Sequence, residues 1–253
     1  MILQNKENLE HKWLSIEGLK LHTVFVANNS VKNSVPIVLI SGLGVASAYM
    51  IPSALKLAEN ADVYCPEFPG FGQSSKPAFA LNISELAVTL NGVLRQCEIE
   101  RAVLVGHSFG CQIAVEFALR YPEKSERLIL AAPTGDSEIK SAFPYFVRFV
   151  RNAPKEPISL FPLAIRDYLK AGALRLWRTF KFALDDSFED KLSRVQTPTL
   201  VIRGAKDPIV STRWAIRMTE TLPQGKLVSI KDAAHAVNYN SPDEFALAIL
   251  EFL

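Results

Sequence analysis

Residues 101–122 read RAVLVGHSFGCQIAVEFALRYP. A short β-branched run, 101–106, passes directly into a glycine-flanked serine, after which Ile113, Phe117 and Tyr121 recur at helical spacing. This order predicts a strand, a sharp turn and a helix. Gly106-His107-Ser108-Phe109-Gly110 fits the pattern G-x-S-x-G. A serine hydroxyl is a weak nucleophile, so it must project from a tight turn toward a base, and flanking glycines relieve the crowding there. The bland reading is a glycine turn with an exposed hydroxyl. The strand-turn-helix context favours Ser108 as a nucleophile instead.

Outward from this stretch the same alternation continues. PIVLIS (36–41), DVYCPE (62–67) and ERLILAA (126–132) are further short β-branched runs separated by longer helical stretches, the pattern of a parallel sheet. Asn82 and Glu85 form a capping box ahead of an apolar stripe through Ile83, Leu86, Leu90, Val93 and Cys97. Before the first parallel strand, KWLSIEG (12–18) and KLHTVFV (20–26) alternate around a glycine, predicting an antiparallel hairpin with one solvated face. Beyond Ala132 the alternation stops for about 60 residues. It resumes with PTLVIRG (198–204), a helix near 211–222 and GKLVSI (225–230). The final helix is marked by Ser241 as N-cap, Pro242 at its first position and Glu244 closing a capping box. The simplest organisation is one α/β core, residues 1–133 and 192–253, interrupted by a helical insertion, residues 134–191.

With hairpin, strand order and serine turn in place, the chain resembles the α/β-hydrolase fold family across nearly its full length, in particular its serine-nucleophile branch with a helical cap. The resemblance implies a mostly parallel sheet with helices on both faces, and an acid and a histidine downstream of the nucleophile. Among the four histidines, His11 and His22 lie in the hairpin and His107 lies inside the turn, with its side chain expected to point away from the pocket. His235 remains, in the loop KDAAHAVNYNSPDEF, where the family places its base; Ala234 stands where many relatives carry glycine. For the acid, Asp207 in VIRGAKDPIV matches the usual site, with Asp136 after ERLILAAPTG as a rival. The resemblance also assigns an oxyanion hole to the backbone N–H groups of Leu43 and Phe109, with Ser41 in place of a common histidine. EFPGFGQSS (67–75) resembles the family's D-x-P-G-x-G-x-S loop with Glu67 replacing aspartate, and reads as a structural turn.

Residues 141–190 hold 10 of the chain's 24 aromatics, which suggests a lid over the site. Phe143, Phe146 and Trp177 are candidate substrate-binding residues; Tyr145, Phe149, Phe161 and Phe180 belong to the same set. Between 141 and 184 eight basic residues face only two acids, Glu156 and Asp167. An anionic substrate would explain this. So would a solvated helix face opposite Leu169, Ala173, Leu176 and Phe180, the more economical reading.

The remaining features narrow the class. A net charge of +2 and the lack of any aromatic-basic interleaving argue against a nucleic-acid partner. No apolar run approaches the roughly 20 residues of a membrane span. The polar start MILQNKENLEHKW carries no secretory pattern, and three widely spaced cysteines suit reduced thiols, so a cytoplasmic location is expected. No cofactor or metal is implied, the partner is a small-molecule substrate, and oligomeric state is left open. GLGVAS (42–47) also reads as a dinucleotide loop after a strand, although Ser47 stands where a third small residue belongs. The leading expectation is a serine hydrolase that cleaves an ester, thioester, lactone or activated carbon-carbon bond of a small, largely apolar substrate through an acyl-enzyme on Ser108. A non-catalytic receptor on the same fold is the third reading.

Overall fold

The computed structural model describes residues 9–28 and 34–253. The first eight residues, on which the reading of the amino terminus partly rests, lie outside them. One eight-stranded sheet organises the chain in the order β1-β2-β4-β3-β5-β6-β7-β8. Its strands are β1 Leu9–Ile16, β2 Leu19–Val26, β3 Ile37–Ile40, β4 Val63–Pro66, β5 Ala102–His107, β6 Ser125–Ala131, β7 Thr199–Gly204 and β8 Gly225–Ile230. The β1–β2 and β2–β4 pairs are antiparallel and the others parallel. Strands β3, β4, β5 and β7 are buried at every position, and β6 from Leu128 onward, which is why they read as continuous apolar runs.

Helices cover both faces. α1 (Ile51–Leu57) packs with α10 (Pro242–Leu250) and with the short α9 (Val237–Asn240). α2 (Ile83–Gln96), α3 (Gly110–Arg120) and α8 (Thr212–Thr221) lie in the other layer, where α2 packs on α3. The capping box forms as the sequence predicts: Asn82 accepts from the Glu85 N–H while the Glu85 carboxylate accepts from the Asn82 N–H.

Two local expectations fail for tertiary reasons. The hairpin has a solvated face on β1 but not on β2, whose residues 21–26 are all buried. β2 pairs on both edges, α2 packs under the hairpin with Val93 beside Leu14, Ile16 and Leu21, and the 67–75 loop covers the other side through His22 N–H to Ser74 Oγ (2.9 Å). Ser241 precedes α10 but makes no side-chain cap bond, because α9 runs straight into it and the Ser241 N–H donates to Val237 O.

Between β6 and β7 run α4 (Ala142–Asn152), α5 (Leu160–Ala171), α6 (Ala173–Asp185) and α7 (Phe188–Leu192). Gly172, at φ 83°, separates α5 from α6, so Leu169, Ala173, Leu176 and Phe180 do not form one continuous stripe. The 191/192 boundary falls inside α7, whose fully buried Phe188 and Leu192 pack with α3 and α8.

Candidate active site

Parallel strands place their carboxyl ends along one edge of the sheet, and the loops that leave this edge build the site. Ser41 follows β3, Ser108 follows β5, Asp207 follows β7 and His235 follows β8. Ser108 adopts φ 53°, a left-handed conformation that a non-glycine residue takes only when its surroundings enforce it. They do so by close packing. A Cβ on Gly110 would lie 2.4 Å from Ile40 O, and one on Gly106 would lie 2.6 Å from Gly110 O, so only glycine fits on either side of the turn. The Ser108 N–H donates to Ala131 O at 2.8 Å and fixes the turn against β6.

Ser108 Oγ lies 3.0 Å from His235 Nε2, and His235 Nδ1 lies 2.8 Å from Asp207 Oδ2. With Nδ1–H donated to the carboxylate, Nε2 is left to accept the serine proton. Burial of the imidazole opposes its protonation, but the Asp207 charge and hydrogen bond, aided by Glu156, outweigh this and raise its pKa above the ordinary histidine value. Burial likewise works against the Asp207 carboxylate. The His235 charge and hydrogen bond and the N–H groups of Ile209 and Val210 prevail and lower its pKa. Arg203 holds this turn by donating to Val210 O and Asp207 O. The rival acid is elsewhere: Asp136 pairs with Arg217 of α8 at 2.6 Å.

His107 does not point away from the pocket. Its ring meets that of His235 edge-on, lines the same cavity, and donates from Nε2 to His235 O at 2.9 Å. Burial, with the nearby His235 charge, lowers its pKa to about 3, so the ring stays neutral. Burial raises the pKa of the Cys111 thiol, one turn after Ser108, well above the usual value and keeps it protonated.

Leu43 and Phe109 flank Ser108 on the cavity wall, and among the described residues neither backbone N–H donates to a protein acceptor. The loop carrying Leu43 is held from three sides. Ser41 Oγ donates to Val45 O (3.0 Å), the Ala46 N–H donates to Asp167 Oδ2 (2.9 Å), and the Ser47 N–H and hydroxyl donate to Glu67 Oε1. Glu67 is itself buried, paired with His22 at 3.0 Å and bonded to the Gln73 N–H. Burial disfavours its charged form, yet these partners together keep its pKa below the usual value. Two carboxylates therefore occupy the N–H groups that a dinucleotide phosphate would need, and a Cβ on Gly44 would lie 2.5 Å from Leu176. The dinucleotide reading of residues 42–47 fails on that geometry. Among the described residues no three His, Cys, Asp or Glu side chains cluster to hold a metal.

The cavity over Ser108 has a volume of about 280 Å³, and its wall is mainly apolar. Tyr145, Phe149, Phe161 and Phe180 line it, but Phe143, Phe146 and Trp177 do not. Those three are 72%, 65% and 54% exposed. The difference is one of helical phase: on α4, Tyr145, Phe149 and Asn152 share the inward face, while Phe143 and Phe146 turn away from it toward solvent.

The sequence reading also missed the polar residues that bind the insertion to the site. Glu156 Oε1 accepts the Ala236 N–H beside His235 (2.9 Å), and Asn152 Oδ1 accepts the His235 N–H (3.4 Å). Arg148 and Lys155 donate to Ile209 O and Lys206 O, on either side of Asp207. Glu156 and Asp167 are the two acids of the basic stretch 141–184, and that isolation was the available signal. Both turn inward, onto the His235 loop and the Leu43 loop.

Among the described residues, no helix is long and apolar enough to cross a membrane. Residues 37–248 match the alpha/beta hydrolase family. "Abhydrolase domain-containing protein abhd-5.2" of Caenorhabditis elegans is 38% identical over 117 residues, 45% of this chain; the match spans only 26% of that relative. "Putative carbamate hydrolase RutD" of Pseudomonas savastanoi pv. phaseolicola is 28% identical over 243 residues, covering 86% of this chain and 93% of the relative. An esterase from Exiguobacterium antarcticum shares the fold, with a TM-score of 0.81 at 16% identity over 96% of this chain and 99% of that one. The antiparallel start, the parallel sheet and the match over residues 37–248 lead to one conclusion: the chain belongs to the alpha/beta hydrolase family.

Proposed function

We propose that the protein is a serine hydrolase that cleaves carboxylic esters with an apolar acyl group through a Ser108–His235–Asp207 triad. The observation that carries this reading is the position of His235, bonded to Ser108 on one ring nitrogen and to Asp207 on the other, at the floor of an apolar cavity. His235 takes the hydroxyl proton as Ser108 Oγ attacks the carbonyl carbon. The oxyanion that forms is met by the N–H groups of Leu43 and Phe109, with the amino terminus of α3 behind it. The imidazolium returns the proton to the leaving alcohol, and water, deprotonated by the same imidazole, hydrolyses the acyl-enzyme. Asp207 holds the tautomer and balances the charge on His235.

Helices α4–α6 form the cap in this reading, and Tyr145, Phe149, Phe161 and Phe180 receive the acyl chain. The relative's name suggests a carbamate, which presents a similar carbonyl. The apolar wall favours an acyl chain over a small polar carbamate, because burying aliphatic surface there is what the cavity can reward. Thioesters and lactones present the same carbonyl and remain within the chemistry.

Hydrolysis of a nitrophenyl ester series from acetate to decanoate tests the proposal. The expected result is a kcat/KM that rises with chain length by at least ~10-fold and falls to background in Ser108→Ala. Undiminished turnover in Ser108→Ala, or turnover of short carbamates but not of esters, overturns it.

A further inference from the structure

We infer that the outward face of α4–α6 is a docking surface for anionic lipid, which brings the mouth of the Ser108 cavity against a bilayer or micelle. Seventeen large hydrophobic side chains are exposed among the described residues, and eleven of them lie between Phe143 and Trp177. Isolated exposed apolar residues are ordinary, but such a concentration on one segment marks an interaction surface. The phase of each helix shows that these side chains are not a poorly buried core. On α4 the stripe Phe143, Phe146, Val150 is exposed and turned away from the cavity-lining Tyr145, while Phe149 lies between the two faces, lining the cavity and partly exposed. On α6 Leu174 and Trp177 share a face with Arg178 and Lys181.

The cavity opens onto this surface. Phe161 and Ile165 of α5 line it while remaining 39% and 56% exposed, so they belong to both the wall and the rim. Trp177 lies 6.1 Å from Phe180, whose ring meets the buried Tyr145 of α4 at 5.9 Å, so the exposed Trp177 of α6 sits directly outside a ring of the cavity wall. Phe79, exposed at 72%, extends the patch from the core, because Arg175 of α6 donates to its carbonyl.

Charge identifies the occupant. Residues 141–184 carry eight Lys and Arg against two acids, a net +6, whereas the remaining residues carry 20 against 24, a net −4. Both acids are turned inward onto the site loops. Arg151, Arg178 and Lys181 are exposed beside the apolar stripes and make no ion pair among the described residues. Aromatic and aliphatic side chains ringed by unpaired cations suit a phosphate-bearing lipid surface, where the rings enter the acyl region and the cations meet headgroups. Such a helix face lies on the membrane and does not cross it. What the docked enzyme then draws into the cavity rests on the acyl-ester reading above, but the docking itself does not.

Co-sedimentation of the full chain with vesicles of phosphatidylglycerol and phosphatidylcholine, against phosphatidylcholine alone, tests the inference. Binding is expected to the anionic vesicles, at least ~10-fold above the neutral ones, and to weaken as salt rises from about 0.1 M to about 1 M, which shortens the screening length from about 10 Å to about 3 Å. Phe143→Ser/Phe146→Ser/Trp177→Ser should lower partitioning by about 10-fold or more, with an unchanged Tm and unchanged turnover of a water-soluble short ester. A milder pair, Arg178→Gln/Lys181→Gln, should remove the preference for anionic lipid and keep the fold. Equal binding to both vesicle types, wild-type binding by the triple variant, or a dimer in solution that the triple variant converts to monomer without any vesicle binding would each overturn the inference. Vesicle binding without ester turnover would leave the docking in place and remove the catalytic reading.

Discussion

The turn around Ser108 and the insertion α4–α6 carry similar sequence signals but are constrained very differently. At the turn every neighbour is fixed: β5 is buried throughout, Gly106 and Gly110 leave no room for a Cβ, and Ser108 is held at φ 53° by the β6 backbone. One arrangement satisfies those contacts. In the insertion, α4 has an apolar stripe on each side, one lining the cavity and one facing out. Helical period shows that a face exists, and with two apolar faces it does not tell which is inside. A local motif is therefore decisive where the backbone is crowded and weak where amphipathicity is doubled.

The largest expected effects lie on the core side. Asp207→Asn should reduce kcat by at least ~10²-fold, because the imidazole loses its orienting carboxylate, while Asp136→Asn should stay within about threefold. Stopped assays on both variants decide this, and the reverse order would move the acid to Asp136. Next in size, the insertion's inward polar contacts should matter through the His235 loop they hold. Glu156→Ala frees the Ala236 N–H and should cost about 10-fold in kcat, whereas Glu156→Gln keeps an acceptor and should keep most of the rate.

The pH profile separates charge from geometry in the same pair. In the proposed mechanism His235 acts as a neutral base, so kcat/KM should rise with pH through a pKa above the ordinary histidine value. Glu156→Gln removes a negative charge that favours the imidazolium, so its acidic limb should move to lower pH. A limb that moves upward would contradict the electrostatic role assigned to Glu156.

Smaller effects distinguish the two faces of α4. Phe149→Ala should raise KM for a decanoyl ester by about 10-fold and barely affect an acetyl ester, by loss of buried apolar contact. Phe146→Ser should leave both within about twofold. Ser41→Ala should cost about threefold to tenfold, since it removes one bond of the Leu43 loop and leaves those to Asp167 and Glu67.

Much of the core was legible because its signals are local or nearly so. The Asn82–Glu85 box spans four residues, and the β-branched runs 37–40 and 102–107 are buried on both faces. Ser241 shows the limit of that logic: a correct boundary residue left without its cap bond by the preceding helix. The meeting of Ser108, Asp207 and His235 was inferred from motif order and family resemblance, and their distances follow only from β5, β7 and β8 ending on one edge. Less legible were long-range polar contacts. Glu156 to Ala236 and Asp167 to Ala46 span 80 and 121 residues, and nothing local to either acid points to its donor loop. His107 is the same case, with a neutral ring braced against His235 O 128 residues away.

The proposed chemistry stands or falls with Ser108 as the nucleophile and His235 as its base. Treatment with a fluorophosphonate followed by peptide mass mapping tests it most directly. A single adduct on the peptide carrying Ser108, absent from Ser108→Ala and slowed at least ~10²-fold in His235→Ala, is the predicted result. An adduct that persists in Ser108→Ala, or ester turnover by a protein that takes no label, would contradict it.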